Sequence, residues 1–167
     1  MTGGSATRKI SKDVKNIKKG IKMKKTTKVL KQLQADANAL YVKLHNYHWN
    51  VKGMDFDPVH LHTEAIYNSM AVLYDDAAER VIQQGYVPYL KMSELLNATK
   101  IHEEEGNSFT SKEIVGKIIA DFEYLLKSFK DLSDAADEEG DKATAAFADD
   151  NIVVYEKELW ILGAMLK

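Results

Sequence analysis

Apolar side chains recur every three or four residues along four long segments of this chain, a spacing that predicts four amphipathic helices. The segments are residues 27–51, 57–85, 110–140 and 141–167. The first two are separated by only a few residues, so we expect them to pack against each other as an antiparallel hairpin.

Residues that commonly begin and end helices stand at the limits of these segments. Asp57 and Pro58 suit the N-cap and the first helical position of the second helix, and Gly53 is placed to end the first. Thr110 and Glu113 have the spacing of a capping box at the start of the third helix. Asp141 is a candidate N-cap for the fourth.

Residues 86–107 separate the two predicted hairpins and contain a short helical pattern over 93–100. Four helices of about 25 residues joined by one long middle crossover are typical of ferritin-like bundles. We therefore predict an all-α fold, a ferritin-like four-helix bundle with a short extra helix in the middle crossover.

The composition of the chain excludes several kinds of functional site. The chain has 167 residues, enough for one core, and it contains no cysteine, which excludes disulfides, thiol catalysis and cysteine-ligated zinc or iron–sulfur centres. No apolar run approaches the roughly 18 residues that a membrane span needs, and the N-terminus has no apolar signal-peptide core. We expect a cytoplasmic protein.

Charge is distributed unevenly and divides the chain into a basic N-terminal arm, residues 1–28, and a bundle domain, residues 29–167. The arm holds ten basic side chains against Asp13, a net charge of +9, whereas the bundle domain holds 13 basic and 24 acidic side chains, a net charge of −11. The basic residues are Arg8, Lys9, Lys12, Lys15, Lys18, Lys19, Lys22, Lys24, Lys25 and Lys28.

A basic arm on an acidic body is typical of proteins that bind polyanions, so we predict non-specific DNA binding through the arm and association with the nucleoid. A second interpretation remains. Ile10, Val14, Ile17 and Ile21 form an apolar helical stripe, which would also suit packing on the protein or binding at a membrane surface. We favour DNA over a membrane.

Metal-ligand residue types are concentrated in the first hairpin. Four of the five histidines lie between His45 and His62. On the second helix Glu64, Asp75 and Glu79 lie within about 100° of His60 around the helix axis. Carboxylates on one face of an amphipathic helix indicate ion pairs or a metal, and this ligand set suits iron, zinc or manganese.

These residues cannot all bind one ion within one chain, because about 22 Å of helix separates His60 from Asp75. The chain therefore offers two half-sites, one of His48, His60 and Glu64 near the turn, and one of Asp75 and Glu79. A two-fold axis between antiparallel copies of the hairpin would join complementary halves and make two equivalent sites per dimer.

The same region carries a specific resemblance. Two patterns in this chain closely resemble those of the Dps family, the DNA-binding proteins of starved cells. They are His45-x-x-His48-Trp49-Asn50-x-x-Gly53-x-x-Phe56-x-x-x-His60 and Asp75-Asp76-x-Ala78-Glu79-Arg80. The similarity extends from about Leu30 to the C-terminus, and the arm lies outside it.

The resemblance implies a hollow dodecamer of two-fold dimers with ferroxidase sites at the two-fold interfaces. The family's iron ligands fall on His48, His60, Asp75 and Glu79, and a further acidic ligand, Asp in many members, falls on Glu64. Zn²⁺ is expected as a competitor for the site. Asp137, Glu138 and Asp141 are candidates for the pore through which ions enter, although a solvated acidic loop would look the same in sequence.

Further predictions concern Trp49 and the histidines and arginine close to the candidate ligands in sequence. Trp49 is either an aromatic of the interface or a residue that absorbs oxidising equivalents beside the iron. We expect His45 to support the ligands or the packing, Arg80 to form an ion pair at an interface, and His62 and His102 to lie at the surface.

The predicted function is Fe²⁺ oxidation by hydrogen peroxide, or more slowly by oxygen, with storage of ferric mineral. One alternative is a DNA-compacting nucleoid protein whose metal site is idle or purely structural. Another is a cage that docks on a membrane or a partner through the arm.

Overall fold

Residues 23–167 are described by the structure, a computed structural model. They form α1 (Lys25–Asn50), β1 (Val51–Lys52), α2 (Phe56–Gln83), α3 (Met92–Ala98), β2 (Phe109–Thr110), α4 (Ser111–Glu139) and α5 (Lys142–Met165). The all-α prediction is confirmed, including the short helix in the crossover. The basic residues from Arg8 to Lys22 and the apolar stripe of the arm lie outside the described residues.

The long helices pack as two hairpins, α1 on α2 and α4 on α5, and α1 also contacts α4. Their apolar stripes meet in one core whose largest fully buried side chains include Tyr47, Phe122 and Phe129. No helix of the described part of the chain is long and apolar enough to cross a membrane.

Helix limits agree with the sequence patterns in two places. Thr110 and Glu113 form the predicted capping box, with the Thr110 hydroxyl accepting from the Glu113 amide and the Glu113 carboxylate accepting from the Thr110 amide. Asp141 caps α5, and its carboxylate accepts from the Thr144 amide at 3.1 Å.

The predicted turn between α1 and α2 is wrong in detail. Asp57 is not the N-cap, because α2 begins at Phe56 after Asp55, and Pro58 is the third helical residue. A proline is tolerated there because amides of the first turn have no partner within the helix. Gly53 does not end α1 directly. It stands three residues beyond Asn50 with a φ of +117°, a conformation that favours glycine.

Between helix and turn, β1 pairs in parallel with β2, Val51 opposite Phe109. The sequence analysis missed this pair because two residues are too short to show an alternating pattern. The pairing fixes the end of the crossover beside the first hairpin.

The crossover is also held by Asp36, a fully buried carboxylate on α1. It accepts hydrogen bonds from the Thr99 hydroxyl at 2.8 Å, the Lys100 amide at 2.7 Å and the Tyr124 hydroxyl at 2.7 Å. Because buried charges are stable only when they are well hydrogen-bonded, Asp36 joins α1, the crossover and α4 into one unit.

Lys25 and Lys28, which the sequence analysis assigns to the arm, are helical, because α1 begins at Lys25. Lys25 forms an ion pair with Glu138, and its amide donates to Glu139 at 2.7 Å. Carboxylates are favourable at a helix N-terminus. Lys25 is therefore a bundle residue whose charge is already paired.

Candidate metal centre

The centre of the candidate site is the contact between His48, at the end of α1, and His60, in the second turn of α2. Their rings are stacked, with centroids 3.7 Å apart and planes 18° apart. His48 is buried and His60 is half-buried. The short, antiparallel turn between the two helices brings them together, as the hairpin prediction required.

Each ring is held by the backbone of the other residue. His48 Nδ1 donates to the carbonyl oxygen of His60, and His60 Nδ1 donates to the carbonyl oxygen of His48, both at 2.9 Å. A carbonyl can only accept, so each neutral ring carries its proton on Nδ1 and leaves the lone pair of Nε2 available. This is the arrangement that orients histidines as metal ligands.

Glu64 lies one turn after His60 and is half-buried. Partial burial, then the charge of Glu64 and a hydrogen bond to its carboxylate, raise the pKa of the Tyr67 hydroxyl. Tyr67 packs edge-on against the His48 ring, with centroids 5.3 Å apart. That Glu64 joins the two histidines as a metal ligand stays a prediction.

Asp75 and Glu79 lie farther along α2, and both are exposed. The continuous helix between His60 and Asp75 separates them by about 22 Å. Within residues 23–167 of a single chain, no group of three His, Asp or Glu side chains could hold a metal ion. The structure therefore brings His48 and His60 into contact and leaves Asp75 and Glu79 apart from them.

Known proteins share this architecture. The ferritin-like domain family matches residues 27–167. The DNA protection during starvation protein of Helicobacter pylori is 48% identical over 142 residues, which cover 85% of this chain and 99% of that protein. The chain belongs to the Dps family of ferritin-like proteins.

Two solved structures illustrate the range of similarity to this Dps-family chain. CAIP of Helicobacter cinaedi is 51% identical with a TM-score of 0.84, over 86% of this chain and 100% of that one. The Dps protein of Vibrio cholerae O1 is 31% identical with a TM-score of 0.81, over 86% and 89%. The latter is described as a member of a broad superfamily of ferritin-like diiron-carboxylate proteins.

Trp49 and His45 continue the aromatic contacts beyond Tyr67. The His45 ring stacks on Tyr67 with centroids 3.8 Å apart, and Trp49 lies 5.4 Å from His45. His45 Nδ1 donates to the carbonyl oxygen of Tyr41 at 2.7 Å. Trp49 is 68% exposed. His45 thus packs between the C-terminal end of α1 and α2, one of the two roles expected for it.

The surface prediction holds for His102, which is exposed, and is wrong for His62. His62 is half-buried, its Nε2 is shielded from solvent, and it lies 3.6 Å from the Glu158 carboxylate. A sequence signal for this burial existed, because His62 precedes the core residues Ile66 and Leu73 by four and eleven residues, which places all three on one helix face.

The acidic residues at the α4–α5 junction have separate environments. Asp137 is exposed, and Glu138 is paired with Lys25. Asp141 accepts from the Arg80 guanidinium at 2.6 Å and from the Gln84 amide group at 3.0 Å. Arg80 therefore has an ion-pair partner within its own chain, Asp141. Its pairing at an interface stays a prediction.

These contacts stabilise the Asp141 carboxylate. Burial alone would raise its pKa, but hydrogen bonds from Thr144 and Gln84 and the charge of Arg80 lower the pKa to about 2. A carboxyl whose pKa is lower in the folded state than in the unfolded chain, where it is about 4, stabilises the fold above pH 4. The contribution is lost as the pH falls from about 4 to about 2.

We expect Asp141→Ala to lower the free energy of unfolding by about 2 kcal/mol at pH 7, because it removes a helix cap and leaves Arg80 unpaired. Urea unfolding at several pH values measures the difference from wild type, which should shrink toward pH 2. Asp137→Ala, at the exposed neighbouring position, is the matched control. Equal stability of the two variants at pH 7 would contradict the assignment.

Proposed function

We propose that this Dps-family protein oxidises Fe²⁺ with hydrogen peroxide at sites shared between subunits, and stores the product as a ferric mineral inside a cage. The observation that carries the proposal is the reciprocal hydrogen bonding of His48 and His60, which leaves both Nε2 atoms free as ligands. Imidazole nitrogen and carboxylate oxygen form a suitable ligand set for iron.

The site is completed by a second copy of the chain. A two-fold axis that relates antiparallel α2 helices would bring Asp75 and Glu79 of the partner subunit to His48, His60 and Glu64. Exposed apolar side chains near the turn, Trp49, Met54 and Leu61, support an interface on this side of the hairpin. We propose that six such dimers form a dodecamer.

The carboxylates explain why oxidation is favourable at this site. Glu64, Asp75 and Glu79 carry negative charge, which stabilises Fe³⁺ more than Fe²⁺. Two Fe²⁺ ions supply the two electrons that one hydrogen peroxide accepts, and two protons complete the reduction to two water molecules. Because both electrons are delivered together, no hydroxyl radical is released.

Trp49 is assigned to the uptake of oxidising equivalents when only one Fe²⁺ is bound. Its support is the series of ring contacts from His48 through Tyr67 and His45 to Trp49. An aromatic that only fills the interface is the alternative, and a tryptophan radical signal after single-iron turnover distinguishes the two roles.

We propose that ions reach the interior of the cage through a pore lined by residues of the α4–α5 junction. Glu138 and Asp141 are held by Lys25 and Arg80. Asp137 is exposed at the same junction and is the member of the set best placed to meet cations in solution.

Anaerobic addition of hydrogen peroxide to the protein loaded with Fe²⁺ tests the proposal. We expect two Fe²⁺ oxidised per peroxide, a slower reaction with oxygen, and iron that sediments with the protein. Added Zn²⁺ should slow the reaction by competing for the histidines and carboxylates. Oxidation no faster than in buffer alone would instead favour a structural DNA-compacting protein with an idle metal site.

The basic arm supports a second activity, non-specific DNA binding by a protein of the cytoplasm and nucleoid. Residues 1–22 hold seven basic side chains against Asp13, whereas the bundle is acidic and should repel phosphate. Several arms on one cage would add avidity and bridge duplexes.

Deletion of residues 1–22 is expected to abolish DNA retardation in gels and to leave iron oxidation unchanged. Because six or more phosphate contacts release counterions, affinity of the intact protein should fall about 10³-fold between 50 and 200 mM salt. The deletion stops before Lys25, since that residue belongs to α1.

Deletion of residues 1–7, which carry no charge, is the matched control and should retain DNA binding. Co-sedimentation with anionic vesicles tests the membrane alternative. Vesicle binding without DNA retardation would contradict the DNA assignment. If the protein without residues 1–22 still bound both DNA and vesicles, both roles of the arm would be contradicted.

A further inference from the structure

The last turn of α1, which carries His48, packs against the end of the crossover, residues 104–110. Tyr47, the neighbour of His48 in that turn, is fully buried, and its ring meets Phe109 of β2 edge-on with centroids 5.2 Å apart. Val51, which follows the helix, pairs with the same Phe109 in the contact between β1 and β2. The position of the turn therefore depends on a segment that is distant in sequence.

Polar contacts join the same two segments. The side-chain amide of Asn46 donates to the backbone carbonyl oxygens of Glu104 at 3.2 Å and of Gly106 at 2.9 Å. The segment also lies close to Phe109, because a Cβ atom at Gly106 would be 2.8 Å from the Phe109 ring, nearer than side-chain atoms approach. The end of the crossover thus has little room to shift relative to α1.

Glu104 supplies a charged group to this contact. Its carboxylate accepts from the Tyr47 hydroxyl at 2.9 Å and from the ammonium group of Lys117 on α4. Lys117 also lies over the Phe109 ring, with its nitrogen 5.5 Å from the ring centroid. One carboxylate therefore joins α1, the crossover and α4 beside the turn that carries His48.

The protonation states suit this arrangement. The hydrogen bond from Lys117 lowers the pKa of Glu104, and the hydrogen bond from Tyr47 and the charges of Lys117 and Lys43 act in the same direction, against the effect of burial. Burial, followed by the hydrogen bond to Glu104, raises the pKa of the Tyr47 hydroxyl. Near neutral pH the carboxylate is charged and the hydroxyl protonated, and such a charge-assisted hydrogen bond is roughly twice as strong as a neutral one.

We propose that Glu104 is a positioning residue for the iron site, which holds the last turn of α1 through Tyr47 and so fixes the direction of His48 Nε2. The inference rests on the proposed function, because it concerns the same site. The His48 ring is oriented by its stacking on His60 and by a hydrogen bond to the His60 carbonyl oxygen. A shift of the turn relative to α2 would disturb both, and a functional site tolerates a displacement of only about 0.5 Å.

Hydrogen exchange of the metal-free protein, followed by mass spectrometry, tests the positioning without iron. In Glu104→Ala we expect the amides of residues 47–52 to exchange about tenfold faster, because a hydrogen bond to a charged group is lost, and those of α5 to be unchanged. Tyr47→Phe keeps the ring against Phe109 and removes only the hydroxyl, so it should have a similar effect. The double variant should add little to either single variant. Glu103→Ala, which removes an exposed carboxylate of the crossover, is the matched control.

The kinetics of iron oxidation separate positioning from a general loss of stability. We expect Glu104→Ala to raise the KM for Fe²⁺ about tenfold with little change in kcat, because a misdirected ligand weakens binding of the ion and is corrected when iron is abundant. Glu104→Gln keeps an acceptor for the Tyr47 hydroxyl and should recover part of the loss.

Exchange of residues 47–52 at the wild-type rate in Glu104→Ala, or a wild-type KM for Fe²⁺, would overturn the proposal. Equally accelerated exchange in α5 would also overturn it, because Glu104 would then only stabilise the fold. A wild-type protein that oxidises no iron would contradict the proposed function, a result that the exchange measurement distinguishes from failure of Glu104 to hold the turn.

Discussion

His60→Ala should slow peroxide-driven iron oxidation at least about tenfold while the helical fold and the assembly persist. The substitution removes one of the two Nε2 ligands and also the ring that stacks on His48 and donates to its carbonyl. His48→Ala should have a similar effect. Stopped-flow measurement of Fe²⁺ oxidation under anaerobic conditions, with sedimentation to verify the particle, gives the rates.

The two histidines act as one unit, so the double variant should be little slower than either single variant. His102→Ala, which removes an exposed histidine of the crossover, is the control and should oxidise iron at the wild-type rate. A double variant that also retains the wild-type rate would show that His48 and His60 are not the ligands.

Co-assembly of two inactive variants should restore activity if the site is split between subunits. His60→Ala and Asp75→Asn each break every site in their own particles. A dimer of one chain of each kind has one site with both substitutions and one with neither. Random pairing makes roughly half of the dimers mixed, so we expect about a quarter of the wild-type activity after co-expression.

The control for this experiment is a mixture of the two variants purified separately, which should remain inactive when the two kinds of particle exchange no chains. Native mass spectrometry verifies that both chains are present in the co-expressed particles. Mixed particles as inactive as their parents would contradict a site shared across a two-fold axis.

Much of the candidate site could be predicted from sequence because its main constraints are local. Helical periodicity places Glu64, Asp75 and Glu79 around α2, and the fixed rise of a helix separates His60 from Asp75 whatever surrounds them. The hairpin also follows from a turn too short to allow another arrangement. The resemblance to the Dps family then selects iron from the metals that these ligands suit.

The contacts that orient the two candidate ligands, His48 and His60, could not be predicted in this way. Stacking of His48 on His60 and the exchange of hydrogen bonds with opposite backbones depend on the depth to which α1 and α2 interdigitate. Periodicity records which face of a helix is apolar, and it carries no information on the register between two helices. His62 is a different case, because its spacing from the buried Ile66 and Leu73 already places it on their face of α2.

The sequence by itself therefore determined the four helices, two of their caps, the acidic bundle with its basic N-terminal residues, and the separation of the two half-sites. Only the tertiary structure decided that β1 pairs with β2, that Lys25 joins Glu138, that Arg80 joins Asp141 and that His62 faces Glu158. The first group depends on residues within a few turns of one another. The second joins residues more than fifty positions apart, whose approach is set by how the helices pack.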